Sequence, residues 1–208
     1  MNIPIVYEDE WLLVLDKPAG LLVVPTPKRE SRTLTSILND DAVKNNRPYR
    51  LHPCHRLDRD TSGLIIYAKG RAIEKKMLEL FKNRKIHKTY LALVAGCPLK
   101  NEGRIANPIE GKSAVTSYRV IEKRKGFCVL EVKPLTGRTN QIRIHLKQLG
   151  HPVLGEDRFA LRRDFKIKAR RLCLHAKGLE FRHPVTARTL FLEAQLPQGL
   201  KEFLNTHR

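Results

Sequence analysis

Short apolar runs separated by turn residues recur along most of the chain. The runs are rich in Val, Ile and Leu and are bounded by Gly, Pro, Asp or Lys, which is typical of β-strands joined by tight turns. We predict strands at residues 3–7, 11–15, 21–24, 64–68, 85–95, 114–122, 127–134, 172–176 and 190–194. A Lys-Arg-Lys-Gly turn separates segments 114–122 and 127–134, and these two segments are therefore predicted to form a hairpin.

Helical periodicity is clearest between residues 71 and 84. Apolar side chains recur there at offsets of 0, 4, 7 and 8 and define one helix face: Ile73, Met77, Leu80 and Phe81. A second helix is predicted after Thr139, which can cap its start, and Gly150 ends it. Shorter helices are predicted at residues 33–40 and after Pro197.

The charge of the chain favours a polyanionic partner. The 208 residues include 40 Lys and Arg and 21 Asp and Glu, which gives a formal net charge of +19. The cations recur along most of the chain, so we expect a broad surface that binds a polyanion. No run of about 18 apolar residues exists and the N-terminal segment does not resemble a signal peptide, so we expect a cytoplasmic protein without a membrane segment.

The cysteines do not suggest a disulfide framework or a zinc ribbon. Cys54, Cys97, Cys128 and Cys173 are far apart in sequence, and we expect all four to be reduced thiols. His52, Cys54 and His55 are the only metal-like cluster, and they lack a partner cluster that would complete a tetrahedral shell. We therefore expect no metal, and because the sequence has no nucleotide-binding glycine loop we also expect no cofactor.

The segment 55–63, His-Arg-Leu-Asp-Arg-Asp-Thr-Ser-Gly, is the first candidate for chemistry. It is a charged, hydroxyl-rich loop that runs directly into the apolar strand 64–68, and it presents Asp58 between Arg56 and Arg59. Such a loop can bring a carboxylate to a polyanion. The alternative is that Asp58 and Asp60 cap a turn and pair with arginine at the surface.

Two further segments carry candidate site residues. Strict alternation along strand 85–95 puts Lys88 and Tyr90 on one face. The alternative is that Tyr90 is a half-buried side chain that only packs against its neighbours in the sheet. Arg143 lies at the edge of the buried face of the helix after Thr139, where an arginine needs a carboxylate partner. A surface pair with a nearby glutamate is the alternative.

A cationic segment between residues 162 and 171 is a further candidate. Six of its ten residues are Lys or Arg, with Phe165 and Ile167 between them. This density favours contact with RNA over a solvated loop.

Three of these stretches together resemble the RluA-type pseudouridine synthases. The resemblance rests on His-Arg-Leu-Asp-x-x-Thr-Ser-Gly before a strand, on Lys-x-Tyr-x-Ala at 88–92, and on Thr-Gly-Arg-x-x-Gln-Ile-Arg at 136–143. It extends from about residue 6 to residue 195 and includes the Lys-Pro-x-Gly turn at 17–20. The chain departs from the family pattern at Asn140, where members usually carry His, and at Glu156, which separates Gly155 from Asp157.

The resemblance implies a set of roles. Asp58 would be the catalytic carboxylate, either attacking the anomeric carbon of the target ribose or removing its 2′ proton. Tyr90 would lie against the target base, Arg143 would pair with Asp58, and Arg56 would fill the gap left by the flipped uridine. The cationic side chains that we expect to contact RNA are Arg56, Arg59, Lys88, Arg138, Arg162, Arg163, Lys166, Lys168, Arg170 and Arg171.

We expect an α/β (α+β) fold formed by residues 1–208 as one catalytic domain without a separate N-terminal RNA-binding domain. It would contain a largely antiparallel, bent mixed sheet with flanking helices and a basic central cleft. The expected partner is a structured rRNA or tRNA stem-loop, and the expected state is a monomer. A non-catalytic RNA-binding or ribosome-assembly protein is the alternative, while a nuclease would show a metal-binding carboxylate cluster that we do not find.

Overall fold

A computed structural model describes residues 3–207, and the chain divides into two compact units. The first unit comprises Met1–Ile86 and Gly178–Ala194, and the second comprises His87–Lys177 and Gln195–Arg208. Within the described residues, no helix is long and apolar enough to cross a membrane.

The first unit is built around a strand in which every residue except the last is buried. Its strands are β1 (Ile5–Glu8), β2 (Leu12–Lys17), β3 (Leu51–Pro53), β4 (Ser62–Lys69) and β10 (Thr189–Glu193). Its helices are α1 (Leu34–Lys44) and α2 (Arg71–Lys82). Strand β4 pairs antiparallel with β2 and with β3, and β2 pairs antiparallel with β1. Met77, on the apolar face of α2, packs into the core with Leu64 and Ile66 of β4. The helix predicted from the 71–84 periodicity is therefore confirmed.

The strand predicted at residues 21–24 is wrong. The backbone carbonyls of Leu22 and Val23 accept the N–H groups of Leu34 and Thr35, 2.7 and 3.1 Å away. These N–H groups lie in the first turn of α1, where they have no partner inside the helix. The apolar segment therefore satisfies a helix start instead of pairing with a strand.

The second unit is built on four antiparallel strands in the order β5-β8-β7-β6. In chain order, the strands are β5 (Ile86–Ala95), β6 (Glu102–Ile105), β7 (Thr116–Arg124) and β8 (Phe127–Pro134). The two helices of this unit are α3 (Gln141–Gln148) and α4 (Gln198–Thr206). The predicted hairpin is present as β7 and β8. Strand β6 and the first unit's β3 were not predicted. Strand β9, Leu174–Arg182, begins in the second unit and ends in the first, where it pairs antiparallel with β10.

These elements confirm the expected α/β class with a largely antiparallel sheet and flanking helices. The expectation of four reduced thiols is wrong, because Cys97 and Cys128 form a disulfide with a Cα–Cα distance of 5.2 Å. Cys128 is the second residue of β8, and Cys97 follows the end of β5. The pairing of β5 with β8 places the two cysteines side by side, which their separation of 31 residues did not suggest. Cys54 and Cys173 are free and buried.

Candidate active site

Asp58 lies in the loop that connects β3 to β4 in the first unit. Its side chain is half-buried, and the neighbouring Leu57 is 5% exposed and so fixes the loop to the core. The N–H of Thr61 donates to the Asp58 carbonyl at 3.2 Å and closes a tight turn. The chain then enters β4 at Ser62, so a rigid strand follows the carboxylate by four residues.

Hydrogen bonds hold this loop on both sides of Asp58. Before it, Nε2 of His55 accepts the backbone N–H of Ile66 at 3.1 Å, which fastens the loop to β4. After it, the carbonyl of Arg59 accepts the N–H of Gly20 at 2.9 Å and the ammonium of Lys17 at 3.0 Å. The loop backbone is therefore held at the residues that flank the candidate carboxylate.

Lys17 is an unusual anchor because its side chain is completely buried. Its ammonium also donates to the carbonyls of Pro18 and Leu21, each at 2.8 Å. A buried ammonium needs such acceptors to compensate for its loss of water. The turn that contains Gly20, at φ 84°, brings these carbonyls around Lys17 and so connects the Lys-Pro-x-Gly segment to the Asp58 loop.

The arginines on either side of Asp58 are exposed. Arg56 is open to solvent, and Arg59 pairs with Asp60 at 3.2 Å while its side chain stays 60% exposed. Exposed pairs of this kind contribute roughly 0–1 kcal/mol. The surface pairing considered from the sequence is therefore present for Asp60, and both arginine side chains are accessible to a ligand.

Tyr90 and Lys88 lie on β5 in the second unit. Tyr90 is 9% exposed, and its backbone is in register with Val132 of β8, which fixes the position of the residue in the sheet. Lys88 is half-buried, and burial lowers the pKa of its ammonium. A Cβ built at Gly137 would lie 3.9 Å from Lys88 Nζ, which places the lysine beside the loop that precedes α3.

Gln141 organises the loop before α3. Its Oε1 accepts the Thr136 hydroxyl at 2.7 Å and the Arg138 N–H at 2.9 Å, and its Nε2 donates to the Val115 carbonyl at 2.9 Å. Asn140 begins the helix in the left-handed region, at φ 54°, without a side-chain cap. The prediction that Thr139 caps this helix is wrong, because the boundary residue needs the left-handed conformation that asparagine tolerates.

Arg143 is buried and makes a bidentate ion pair. Its Nε lies 2.6 Å from Oε2 of Glu156 and its Nη2 lies 2.7 Å from Oε1. Its Nη1 donates to Oδ1 of Asn140 at 2.9 Å, and its guanidinium carbon lies 5.2 Å from the centre of the Phe159 ring. The sequence argument that Arg143 needs a carboxylate is confirmed, and the glutamate partner considered as an alternative is present but buried.

Glu156 was not among the residues selected from the sequence. Its side chain is fully buried, and Oε1 also accepts the N–H groups of Arg158 and Phe159 at 2.9 and 3.2 Å. Burial raises the pKa of Glu156, but the Arg143 guanidinium and these N–H groups outweigh it and hold the pKa below its ordinary value. The signal that could have found it is a glutamate directly after a glycine, close in sequence to an arginine that must be neutralised.

The cationic segment is exposed but anchored. Arg162, Arg163, Lys166, Lys168 and Arg170 are open to solvent, and Arg171 is half-buried. Asp164 lies 3.6 Å from Lys147 of α3, and a Cβ at Gly126 would lie 3.1 Å from Ile167. Apolar and acidic residues thus fix the segment while its cations face outwards. Arg138 is also exposed, and its Nε donates to the Ser113 carbonyl.

The structure brings together Arg143, Asn140 and Glu156 in the second unit, and Asp58, Arg59 and Lys17 in the first. The pairing of Arg143 with Asp58 stays a prediction, as does the placement of Tyr90 beside the same site.

Comparisons with known proteins match almost the whole chain. The sequence model of the family described as RNA pseudouridylate synthase matches residues 11–148. The dual-specificity RNA pseudouridine synthase RluA of Vibrio cholerae is 34% identical over 223 residues, which cover 99% of this chain and 88% of that protein. The tRNA pseudouridine synthase C of the same organism is 34% identical, with 93% of this chain and 91% of that protein covered.

Solved structures agree with these sequence matches. The human RNA pseudouridylate synthase domain containing 4 has a TM-score of 0.82 and 25% identity over 97% of this chain and 91% of that chain. The human RNA pseudouridylate synthase domain containing 1 has a TM-score of 0.75 and 25% identity, with 99% and 94% covered.

Proposed function

Because the chain belongs to the RNA pseudouridylate synthase family and to its RluA type, we propose that it isomerises specific uridines in structured rRNA or tRNA, with Asp58 as the reacting carboxylate. The enzyme is an isomerase that converts uridine to pseudouridine in RNA. The reaction breaks the bond between uracil N1 and ribose C1′, turns the base, and joins C1′ to C5. The proton on C5 then leaves, and the proton gained at N1 balances the reaction.

The observation that best supports Asp58 is the double anchoring of its loop. His55 and Lys17 hold the backbone on the two sides of a carboxylate whose side chain remains half-buried. A reacting group needs such a fixed position, because misplacement by about 1 Å can cost 10²-fold in rate. A surface carboxylate that only caps a turn has no need of a fully buried ammonium nearby.

A single carboxylate is sufficient for this chemistry. A departing uracil anion delocalises its charge over the ring, so no second carboxylic acid has to protonate it, unlike the leaving alcohol in glycoside hydrolysis. Asp58 either bonds to C1′, with release when C5 attacks, or removes the 2′ proton and returns it. Both routes consume no outside reagent.

Tyr90 and Arg143 complete the proposed site. We assign Tyr90 to stack on the uracil and to help remove the C5 proton, directly or through water. Arg143 would hold Asp58 ionised, since a nearby cation favours the charged form of a carboxylate. In this proposal, residues 1–208 form one catalytic domain.

Binding of RNA is proposed to use the exposed cations. Arg56 lies next but one to Asp58 in the same loop and is exposed, which suits insertion into the stack when the uridine flips out. Lys88, Arg59, Arg138 and the cations at 162–171 would contact phosphates and fix the register of the RNA. Flipping costs least in loops and distorted stems, which favours a structured rRNA or tRNA target over a regular duplex.

The test is a map of pseudouridine across rRNA and tRNA in cells with and without the gene. We expect one or a few sites to disappear and to return with the wild-type gene but not with Asp58→Ala. An unchanged map in cells that express the protein would contradict the proposed substrates. Restoration of the sites by Asp58→Ala would contradict the assigned carboxylate.

A further inference from the structure

Stability alone does not explain why Arg143 and Glu156 form a buried ion pair. Arg143 is 6% exposed, and the Glu156 side chain is completely buried. Removing both ions from water is costly, and apolar side chains of similar size often stabilise such a position equally well. A fully formed ion pair at a proposed active-site arginine therefore indicates that its direction matters.

The contacts around the guanidinium fix its plane and its rotation. Glu156 holds the edge formed by Nε and Nη2, and Asn140 accepts from Nη1 at the other end. The Phe159 ring lies close to the guanidinium carbon, 5.2 Å from centroid to carbon. These contacts leave the arginine little freedom to rotate about its last torsion angles.

The glutamate is itself fixed by the backbone. Oε1 accepts the N–H groups of Arg158 and Phe159, so the tight turn after Gly155 sets the direction of the carboxylate. A Cβ at Gly155, at φ 77°, would overlap the Arg171 carbonyl at 2.0 Å, which means that only glycine allows the chain to pass there. The backbone of the 155–159 turn thus fixes the Glu156 carboxylate, and Glu156 in turn fixes the orientation of Arg143.

We propose that Glu156 is a positioning residue of the isomerisation and acts through Arg143; this inference rests on the proposed function of Arg143. An unrestrained arginine in a chain of charge +19 would be drawn to RNA phosphates as soon as substrate binds. The bidentate bond to Glu156 holds the guanidinium in one orientation, so that Arg143 presents its remaining N–H donors in a fixed direction.

The test is a double-mutant cycle on the rate of a single turnover. Glu156→Gln keeps the size of the side chain but turns an NH2 group towards one of the arginine donors, so we expect about a 100-fold slower reaction. The Kd for RNA should stay within about threefold of wild type, because Glu156 is buried and does not reach the RNA. Glu156→Asp keeps the charge and should recover part of the rate.

The coupling to Arg143 separates positioning from a general effect on the fold. In an Arg143→Ala background, Glu156→Gln should cause no further decrease in rate, since the residue it acts through is gone. The matched control is Glu131→Gln, which removes a glutamate that pairs with Arg119 on the surface of the same unit. This control should react at the wild-type rate.

A wild-type rate for folded Glu156→Gln, or independent effects of Glu156→Gln and Arg143→Ala, would overturn the inference. If Glu156→Gln does not fold, Glu156→Asp takes its place in the cycle. Its shorter side chain cannot reach both arginine nitrogens with the same geometry, so a wild-type rate for Glu156→Asp would equally overturn the positioning role.

A second measurement keeps this inference separate from the proposed function. In nitrogen-15 NMR spectra, the Nε–H signal of Arg143, assigned with Arg143→Lys, should exchange slowly with water and should shift or broaden in Glu156→Gln. If the wild-type protein made no pseudouridine in rRNA or tRNA, the proposed substrates would fail. An unchanged Arg143 signal in Glu156→Gln would overturn the positioning role itself, whatever the activity.

Discussion

Replacing Lys17 by methionine tests whether the Lys-Pro-x-Gly turn holds the Asp58 loop. The substitution keeps most of the buried aliphatic chain but removes the ammonium that donates to the carbonyls of Pro18, Leu21 and Arg59. The Arg59 carbonyl keeps the N–H of Gly20, so the main effect falls on the other two carbonyls.

The magnitude follows from those two carbonyls. A buried acceptor without its partner costs roughly 1–3 kcal/mol, so two of them cost about 2–6 kcal/mol. Part of this cost is offset, because the variant no longer has to bury a charged ammonium. We therefore expect a net decrease of about 3 kcal/mol in the free energy of unfolding. For a chain of this size, that corresponds to a fall in Tm of about 6–12 °C.

The same variant should react slowly even where it is folded. The Arg59 backbone would keep only one of its two anchors, so the carboxylate of Asp58 would sample more positions and the single-turnover rate should fall about tenfold or more. RNA affinity should hardly change, because Lys17 is buried and cannot reach a phosphate.

Calorimetry and single-turnover kinetics, with Lys76→Met as the control, measure both effects. Lys76 is an exposed lysine of α2, and its substitution should leave Tm and rate close to wild type. A Tm for Lys17→Met within about 2 °C of wild type would refute the estimate. A folded Lys17→Met protein with the wild-type rate would refute the link to Asp58.

Three further predictions use other parts of the chain. Reduction of the disulfide between Cys97 and Cys128, which closes a loop with a separation of 31 residues, should lower the free energy of unfolding by about 3–4 kcal/mol, and chemical denaturation with and without reductant measures this. Replacing the exposed Arg163 and Lys168 by Gln should lower the slope of log affinity against log salt by about 0.7–0.9 for each phosphate that is no longer neutralised; an unchanged slope would exclude them from the RNA interface. Because the pKa of Glu156 is lower in the folded protein than its ordinary value of 4.5, its charged form stabilises the fold; this stabilisation is complete above pH 4.5 and is lost as the pH falls through the pKa of the folded state. The Tm of wild type should therefore fall more steeply on acidification than the Tm of Glu156→Gln.

Elements with a strong local period could be predicted from the sequence. The 71–84 pattern identified α2, and the apolar runs flanking the Lys-Arg-Lys-Gly turn identified the β7–β8 hairpin. In both cases the pattern reports burial against a core that the element itself faces, so local information is sufficient. Residues 21–24 have an equally apolar pattern, but their carbonyls serve the start of α1, a non-local use that no period reveals.

The candidate site was predicted unevenly for a similar reason. Asp58, Tyr90 and Arg143 could be selected because they lie in motifs that resemble a known family, and chemistry explains each residue type. The need of Arg143 for a carboxylate was predictable, but its partner Glu156 lies 13 residues away, on a turn whose geometry depends on Gly155. The disulfide was missed because only the register of β5 with β8 brings Cys97 to Cys128.

The most direct test of the account compares purified wild type with Asp58→Ala on unmodified rRNA and tRNA labelled with tritium at C5 of uridine. Formation of pseudouridine releases that tritium, and RNA binding is measured in parallel. We expect the wild-type protein to release tritium and Asp58→Ala to bind RNA with similar affinity but to release none, because the proposed role of the carboxylate begins only after the base has flipped. Release at the wild-type rate by Asp58→Ala would contradict the central claim.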